Sequence, residues 1–259
     1  APQLLGAIVT AQNIVGTVLA VAPPHAYYGR GGFAYGWVRA DVNNPQAPVA
    51  EDGGTLEPTD IAVVGDYLLL SNDYDSIQGG IFVHDRDDLA VLSHHTTRAG
   101  ALAAWQEVMV VARTTPELSI LSLADMPTLT PLGEVSVGGL VTSVAADAAV
   151  AVATVQAGAT TELVIVSLAD ASNPQVMATL DLGVATAETV HVHDAHAYIT
   201  ARTDGVLVVD LRDLSNPAIT VTADDVPDAF DSALVGETLL VGNVDQPTFD
   251  LAIYAVSCR

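Results

Sequence analysis

One pattern recurs along this chain of 259 residues, and it restricts the fold before any single residue does. Its clearest copy runs Val190-His191-Val192-His193-Asp194-Ala195-His196-Ala197-Tyr198-Ile199-Thr200, then Asp204-Gly205-Val206-Leu207-Val208-Val209-Asp210, then Leu214-Ser215-Asn216-Pro217 and a further apolar run. The preceding copy repeats its second half as Leu163-Val164-Ile165-Val166-Ser167-Leu168, with Asn173-Pro174 after it. Counterparts of Tyr198 fall at Tyr27, Leu69, Met109, Val150, Tyr198 and Leu240, spaced by 42, 40, 41, 48 and 42 residues. A period of about 40–45 residues holding about four short strands is that of a propeller blade. Helical repeats of this length need apolar residues at 3.6 spacing over ten or more positions. Here the apolar runs are short and end in Asp-Gly, Gly-Gly or Asn-Pro, which are turn signals.

The strands of the fifth copy can be placed one by one. Val190 to His193 is the first, Asp194-Ala195 turns it, and His196 to Arg202 is the second. Thr203-Asp204-Gly205 makes the next hairpin, because glycine tolerates the positive φ such turns need. Val206 to Asp210 is apolar almost throughout, as expected of a strand covered on both faces. Asn216-Pro217 leads into Ala218 to Thr222, and proline, which cannot donate to a ladder, suits the start of an edge strand. The sixth copy has three strands, at 233–235, 239–243 and 251–256, while Pro2 to Val9 at the other end resembles the fourth strand Pro174 to Leu180. The expectation is an all-β, six-bladed β-propeller with four-stranded antiparallel blades in a single domain over 1–259. Its blades fall at approximately 17–50, 60–95, 100–137, 140–182, 188–223 and 230–259. Residues 1–10 supply the closing strand that pairs with the last blade and removes its open edge.

Leu163-Val164-Ile165-Val166-Ser167 and Val206-Leu207-Val208-Val209-Asp210, each followed by an Asn-Pro loop, resemble the LVIVD repeat. Ile81-Phe82-Val83-His84-Asp85 and Leu118-Ser119-Ile120-Leu121-Ser122 match more loosely, so the clear resemblance covers about half the chain. It implies a β-propeller blade in a bacterial or archaeal protein, many of which are exported or surface-attached. It brings no catalytic motif that maps onto residues of this chain.

The charge narrows the partners. Thirty-one acids stand against eight basic residues, all arginine, for a net charge of −23. Such a surface repels nucleic-acid phosphates and anionic lipid, and it attracts cations. Lysine is absent, in keeping with a GC-rich genome or, as the sharper alternative, a high-salt habitat. The single cysteine, Cys258, allows no internal disulfide, but burial of about 70–75% of the unfolded surface suffices without one. Residues 1 to 24 carry no charge, and Leu4 to Ala22 is as long as a membrane span. Gln12, Asn13, Gly6 and Gly16 interrupt it, and both halves align with repeat strands, so strands are expected and not a span or a signal sequence. A start at Ala1 agrees with a processed, exported protein.

His191, His193 and His196 form the densest group of metal-capable side chains. In a strand His191 and His193 share a face at about 7 Å, a spacing that suits two ligands of one divalent ion. Equivalent positions hold Ala20 and Ala22, or Ala62 and Val64, so two imidazoles are a departure from the repeat. No third ligand is visible, and packed or channel-lining histidines are the expectation. Asn72-Asp73-Tyr74-Asp75-Ser76 and Asp85-Arg86-Asp87-Asp88 resemble pieces of calcium loops but lack the glycine and distal glutamate of an EF-hand. Asp in such loops serves turns. Tyr27, Tyr28, Phe33, Tyr35 and Trp37 concentrate aromatics in the first copy, where alternation argues for one packed strand face and a partner or sugar patch is the functional alternative. No nucleophile elbow, phosphate loop, paired-cysteine or haem motif is present.

These readings point to a non-enzymatic, exported propeller that acts as a protein-interaction or structural module at the cell surface or in an extracellular assembly. A protein partner or self-assembly is expected, without nucleic acid, membrane span, cofactor or catalytic residues. A mean hydropathy of +0.41, high for a free monomer, agrees with this. The alternative is a metal-dependent hydrolase or lyase at one mouth of the propeller channel, with His191 and His193 as its metal ligands. The closing strand is directly testable. Deleting residues 1–10 should expose the edge of the last blade and cost several kcal/mol at about 25 cal/mol per Å² of buried apolar area. Melting temperature and solubility should both fall, and a deletion that leaves both unchanged refutes the closure.

Overall fold

The computed structural model describes residues 14–32, 36–44, 47–73, 79–224, 226, 228–243 and 251–255. Every regular element among them is a β-strand, so no helix is long and apolar enough to cross a membrane. The carboxyl-terminal half of the uncharged stretch is itself a strand. The proposed closing strand at 1–10 lies outside the described residues, as do Phe33, Tyr35, Tyr74, Asp75, Ser76 and Cys258.

The strands form six small antiparallel sheets, the arrangement of a six-bladed β-propeller. Two compact units hold them: residues 1–102 with 125–129, and residues 103–124 with 130–259. In the first unit, blade one contains β1 (Ile14–Ala22), β2 (His25–Gly32), β3 (Gly36–Asp41) and β4 (Val49–Gly54). Blade two contains β5 (Asp60–Val64), β6 (Tyr67–Asn72), β7 (Gly80–Asp85) and β8 (Val91–His95). Blade three, which belongs to the second unit from residue 103 on, contains β9 (Leu102–Trp105), β10 (Val108–Ala112), β11 (Glu117–Ser122) and β12 (Thr130–Ser136). In the second unit, blade four contains β13 (Leu140–Asp147), β14 (Val150–Ala157), β15 (Thr160–Ser167) and β16 (Gln175–Asp181). Blade five contains β17 (Thr189–His193), β18 (His196–Thr200), β19 (Val206–Asp210) and β20 (Ala218–Ala223). Blade six shows β21 (Ala229–Val235), β22 (Thr238–Asn243) and β23 (Leu251–Ala255).

The last letter of the repeat has a physical job. Asp41, Asp85 and Asp210 end the third strands of their blades, and each accepts the backbone N–H two residues on through Oδ1, at 2.8, 2.8 and 2.9 Å. Ser122 and Ser167 do the same through Oγ at 3.2 and 3.3 Å. These are Asx and Ser turns, which reverse the chain at no cost in unpaired backbone. The residue that follows each of them donates its own N–H to the hairpin joining strands one and two. Val42 reaches the Pro24 carbonyl, Arg86 that of Asp66, Leu123 that of Glu107, Leu168 that of Ala149 and Leu211 that of Ala195, at 2.7–2.9 Å. A second turn precedes Asn-Pro, where Asp170 and Asp213 accept from Ser172 and Ser215 at 3.1 and 3.0 Å.

Those hairpin carbonyls set the true register of the repeat. Counted from them, the counterparts of Tyr198 are Val110 and Val152, in place of the expected Met109 and Val150. The error is physical. Strands β10 and β14 are buried on both faces, so their apolar runs carry no phase. The corrected register exposes a second regularity two residues further on, where Ser71, Thr154 and Thr200 are buried hydroxyls. Ser71 donates to the Gly100 carbonyl at 2.6 Å. Thr154 and Thr142 share a bond of 2.7 Å, and Thr142 donates to the Ala187 carbonyl at 3.0 Å. Thr200, Thr189 and Ser232 form a chain with separations of 2.8 and 2.6 Å. In every case the partner at the far end belongs to the next blade or the segment entering it.

Among the described residues, the loops between the third and fourth strands of blades two to five lean back on the preceding blade. Arg39 donates to the Arg86 carbonyl at 3.0 Å, and Leu89 packs with Tyr27 and Trp37. Ser93 donates to the Pro127 carbonyl, and Tyr67 to that of Met126 at 3.3 Å. Gly133 lies so close to the next loop that a Cβ there would stand 2.7 Å from Pro174 Cδ. Leu214 packs into the cluster that holds Ala178 and Leu180 of β16. Outer strands are irregular in a fixed place: the ladder skips Leu92, Leu132, Met177 and Thr220, one bulge per blade from two to five. Each bulge bends its strand and increases the local twist.

Backbone conformation makes two opposite predictions. The β13–β14 hairpin turns through Ala148 and Ala149, with φ of 48° and 62°, where L-residues other than Gly, Asn and Asp are disfavoured. Ala149→Gly should therefore stabilise by about 1 kcal/mol, raising the melting temperature by roughly 2–4 °C. Gly205 has φ of 74°, and a Cβ there would stand 2.0 Å from the Ala223 carbonyl oxygen. Gly205→Ala should destabilise by about 2–4 kcal/mol. Thermal denaturation of both variants checks the pair, and changes of the same sign would contradict it.

Candidate functional site: the histidine strand of blade five

Strand β17 begins blade five, pairs with β18 alone, and packs beside β13 and β21. Thr189 is anchored by its hydroxyl chain, and the Val190 N–H donates to Ser143 Oγ at 3.2 Å, so the backbone of β17 is fixed from both neighbouring blades. The position opposite the reference residue of strand two is alanine in four blades: Ala20, Ala62, Ala145 and Ala233. In blade five it is His191, opposite Tyr198. An imidazole thus occupies space that a methyl group fills elsewhere.

That space determines what His191 does. Its Nε2 lies 2.9 Å from the Ser232 carbonyl oxygen in β21. A carbonyl only accepts, so Nε2 carries the proton and the neutral ring keeps Nδ1 as an acceptor. Burial pushes the His191 pKa down, against smaller opposing effects of the Ser232 bond and the Asp231 charge. His193 lies two residues on, opposite His196, with Nε2 3.6 Å from Asp194 Oδ2. His196 is buried, and its Nδ1–H donates to the Asp194 carbonyl at 2.7 Å, which tightens the hairpin. The three histidines are therefore near in sequence but engaged separately: one across to the next blade, one beside Asp194, one within its own turn. Among the described residues no three His, Cys, Asp or Glu side chains gather in a group that could hold a metal ion.

The acidic loops are equally occupied. Asp85 accepts from Asp87 at 2.8 Å and from Asp88 at 3.1 Å, and Asp88 accepts from Ala90 at 2.9 Å. Asp73 accepts from Thr59 Oγ1 at 3.0 Å, while Asn72 donates to the Glu57 carbonyl at 2.8 Å. Asp210 is ion-paired with Arg212, whose side chain and N–H hold its carboxyl well below the ordinary range. Trp37 and Tyr27 are buried in the core of the first unit, with Trp37 edge-on to His84 at 5.4 Å.

One charged cluster was not singled out from sequence. Arg202, in the turn after β18 at φ 49°, bonds Glu188 Oε1, lies 3.5 Å from Asp228 Oδ1, and stacks 4.3 Å over the Phe230 ring. Its backbone exchanges two bonds of 3.0 Å with Ala229. Hydrogen bonding to Glu188 pushes its pKa further up. It clamps blade five to blade six at the end of β18 away from the Asp194-Ala195 hairpin. Only its isolation among acids in the sequence could have signalled it.

Buried neutral histidines make stability depend on pH. Burial lowers the pKa of His191, His84 and His95 from 6.5, with His94 adding to the effect at His95. Below about 6.5 the unfolded chain binds protons that the folded chain refuses, so this stability is present at neutral pH and is lost as pH falls through the folded values. The melting temperature should drop between about pH 7.5 and pH 5, a window above ordinary carboxylate titration. The drop should shrink in His191→Ala. An equal drop in that variant would show that His191 does not contribute.

Comparison with known proteins extends the fold and nothing else. No protein-family model and no curated protein matches this chain. Among solved structures it is similar to a functionally unknown protein from Desulfotomaculum acetoxidans, with a TM-score of 0.76 at 12% identity over 96% of this chain and 84% of that one. It is also similar to BamB from Moraxella catarrhalis, with a TM-score of 0.57 at 11% identity over 90% and 81%. The computationally designed Ika8 protein gives a TM-score of 0.62 at 13% identity over 95% and 85%. Identities this low carry the architecture alone, which is that of a six-bladed β-propeller.

Proposed function

We propose that this chain is a non-enzymatic, exported propeller that serves as a protein-interaction or structural module at the cell surface or in an extracellular assembly. The observation that supports this most is on the outer strands. Large apolar side chains stand exposed there blade after blade: Val49, Val91 and Leu92, Leu132, Val176 and Met177, Ile219 and Val221. Scattered apolar exposure is ordinary, but its recurrence on the outer strand of one sheet after another gives each of these sheets an apolar edge, which is what contact surfaces use. The polar residues of the repeat are consumed by turns and blade-to-blade bonds, as a scaffold requires. The resemblance of Leu163 to Ser167 and Val206 to Asp210 to the LVIVD repeat favours export. A net charge of −23 favours a cationic partner over nucleic acid or an anionic membrane.

A metal-dependent hydrolase or lyase is the second reading, favoured by His191 and His193 at alternate positions of β17. One experiment separates the two. Protein purified without a nickel column should contain no stoichiometric zinc, manganese or iron, and His191→Ala with His193→Ala should fold and shift stability by no more than about 1–3 kcal/mol. Cross-linking in the native host should yield a defined protein partner. Metal at one equivalent, lost in the double variant, would overturn the scaffold in favour of the enzyme.

A further inference from the structure

We propose that β20, the outer strand of blade five, is a docking edge for an extended polypeptide segment with an apolar centre and basic ends, which adds to the sheet as a further strand. This inference rests on the protein-interaction reading and names its surface. β20 is the last strand of its sheet and pairs only with β19. Five consecutive residues, Ala218 to Thr222, are exposed, whereas exposure alternates or breaks along β8, β12 and β16.

Like β8 and unlike β4, β12 and β16, β20 carries no acid, arginine or proline. Edges are often protected by charge or proline. Strand β4 carries Glu51, Asp52, Gly53 and Gly54, β12 carries Pro131 and Glu134, and β16 ends in Asp181. Strand β20 reads Ala-Ile-Thr-Val-Thr-Ala, with none of these. Its one irregularity is the bulge at Thr220, whose Oγ1 donates to the Val208 carbonyl at 3.2 Å and holds the bulged residue to its own sheet. Ile219 and Val221, 37% and 49% exposed, offer apolar contact, while the unpaired side of the backbone offers main-chain hydrogen bonds.

Charge selects the occupant. Exposed acids frame the neutral strand: Asp213 before it, Asp224 after it, and Asp204 in the hairpin whose Gly205 lies against the Ala223 carbonyl. The nearby cations are engaged elsewhere, Arg212 with Asp210 and Arg202 with Glu188 and Asp228. A second copy pairing antiparallel through a two-fold axis would set the Asp204 and Asp224 end of one strand against the Asp213 end of the other, like charge against like. A segment with arginine or lysine at both ends meets opposite charge at each end instead.

The test uses the full chain and two fluorescent synthetic peptides with the same alternating Thr-Val core, one flanked by arginine and one by glutamate. Fluorescence anisotropy should show binding of the arginine-flanked peptide only, weakening at least roughly tenfold between about 50 and about 500 mM salt. Val221→Lys, a change at an exposed position, should abolish that binding with the melting temperature kept. Thr222→Pro, which removes an edge N–H, is the second variant. Absence of binding by the arginine-flanked peptide, or binding unchanged in Val221→Lys, would overturn the docking edge. The interaction reading itself is judged separately, by the metal and cross-linking assays. A dimer of the unliganded chain that Val221→Lys abolishes would replace the basic segment with a second copy and overturn the occupant proposed here.

Discussion

The regularity of blades one to five hangs on one backbone hydrogen bond, the N–H just past the third strand reaching the carbonyl of the hairpin between strands one and two. It recurs in blades one to five at nearly the same length, from Val42, Arg86, Leu123, Leu168 and Leu211. It fixes where the third strand stops relative to the first hairpin and so sets the register of three strands together. The Asp or Ser that ends the strand then turns the chain, and the loop is delivered against the preceding blade. A sequence can vary freely around this bond provided it keeps a turn-forming side chain at 41, 85, 122, 167 and 210. That is why two serines can stand where the repeat has aspartate.

What was legible in the sequence was local. Asp-Gly, Asn-Pro and the Asp at strand ends act through their own neighbours, so their meaning can be read without the fold, and the fifth blade lies almost where its residues place it. Strand phase was not legible where a strand is apolar on both faces, which is how Met109 and Val150 came to stand in for Val110 and Val152. The bonds between blades were also hidden. His191 meets a main-chain carbonyl 41 residues away, a partner with no side-chain signature. Arg202 is similar: its partners Glu188, Asp228 and Phe230 are ordinary residues until the turn at φ 49° brings the guanidinium over the ring.

The histidines show how a repeat can be modified without being broken. Ala20, Ala62, Ala145 and Ala233 indicate how little room the first strands leave opposite strand two. His191 fits because its ring reaches out toward β21 and is paid for by a hydrogen bond that alanine cannot make. The join between blades five and six therefore holds, besides the hydroxyl chain through Thr189 and Ser232, a titratable group and a guanidinium clamp. This seam is chemically distinct from the alanine-lined seam between β1 and β5.

The backward lean of the loops has a direction, and direction has a consequence for synthesis. Blade one is covered by residues near 86–89, blade two by Met126 and Pro127, blade three by Ala171 to Pro174, and blade four by Leu214. A chain emerging amino-terminus first thus releases each sheet before the segment that finishes it. Each of blades one to four waits, half dressed, for most of its successor to appear. Nascent intermediates that end after any of blades one to four should then share one exposed face at their growing end, and stalling or truncation at any of those boundaries leaves that face bare.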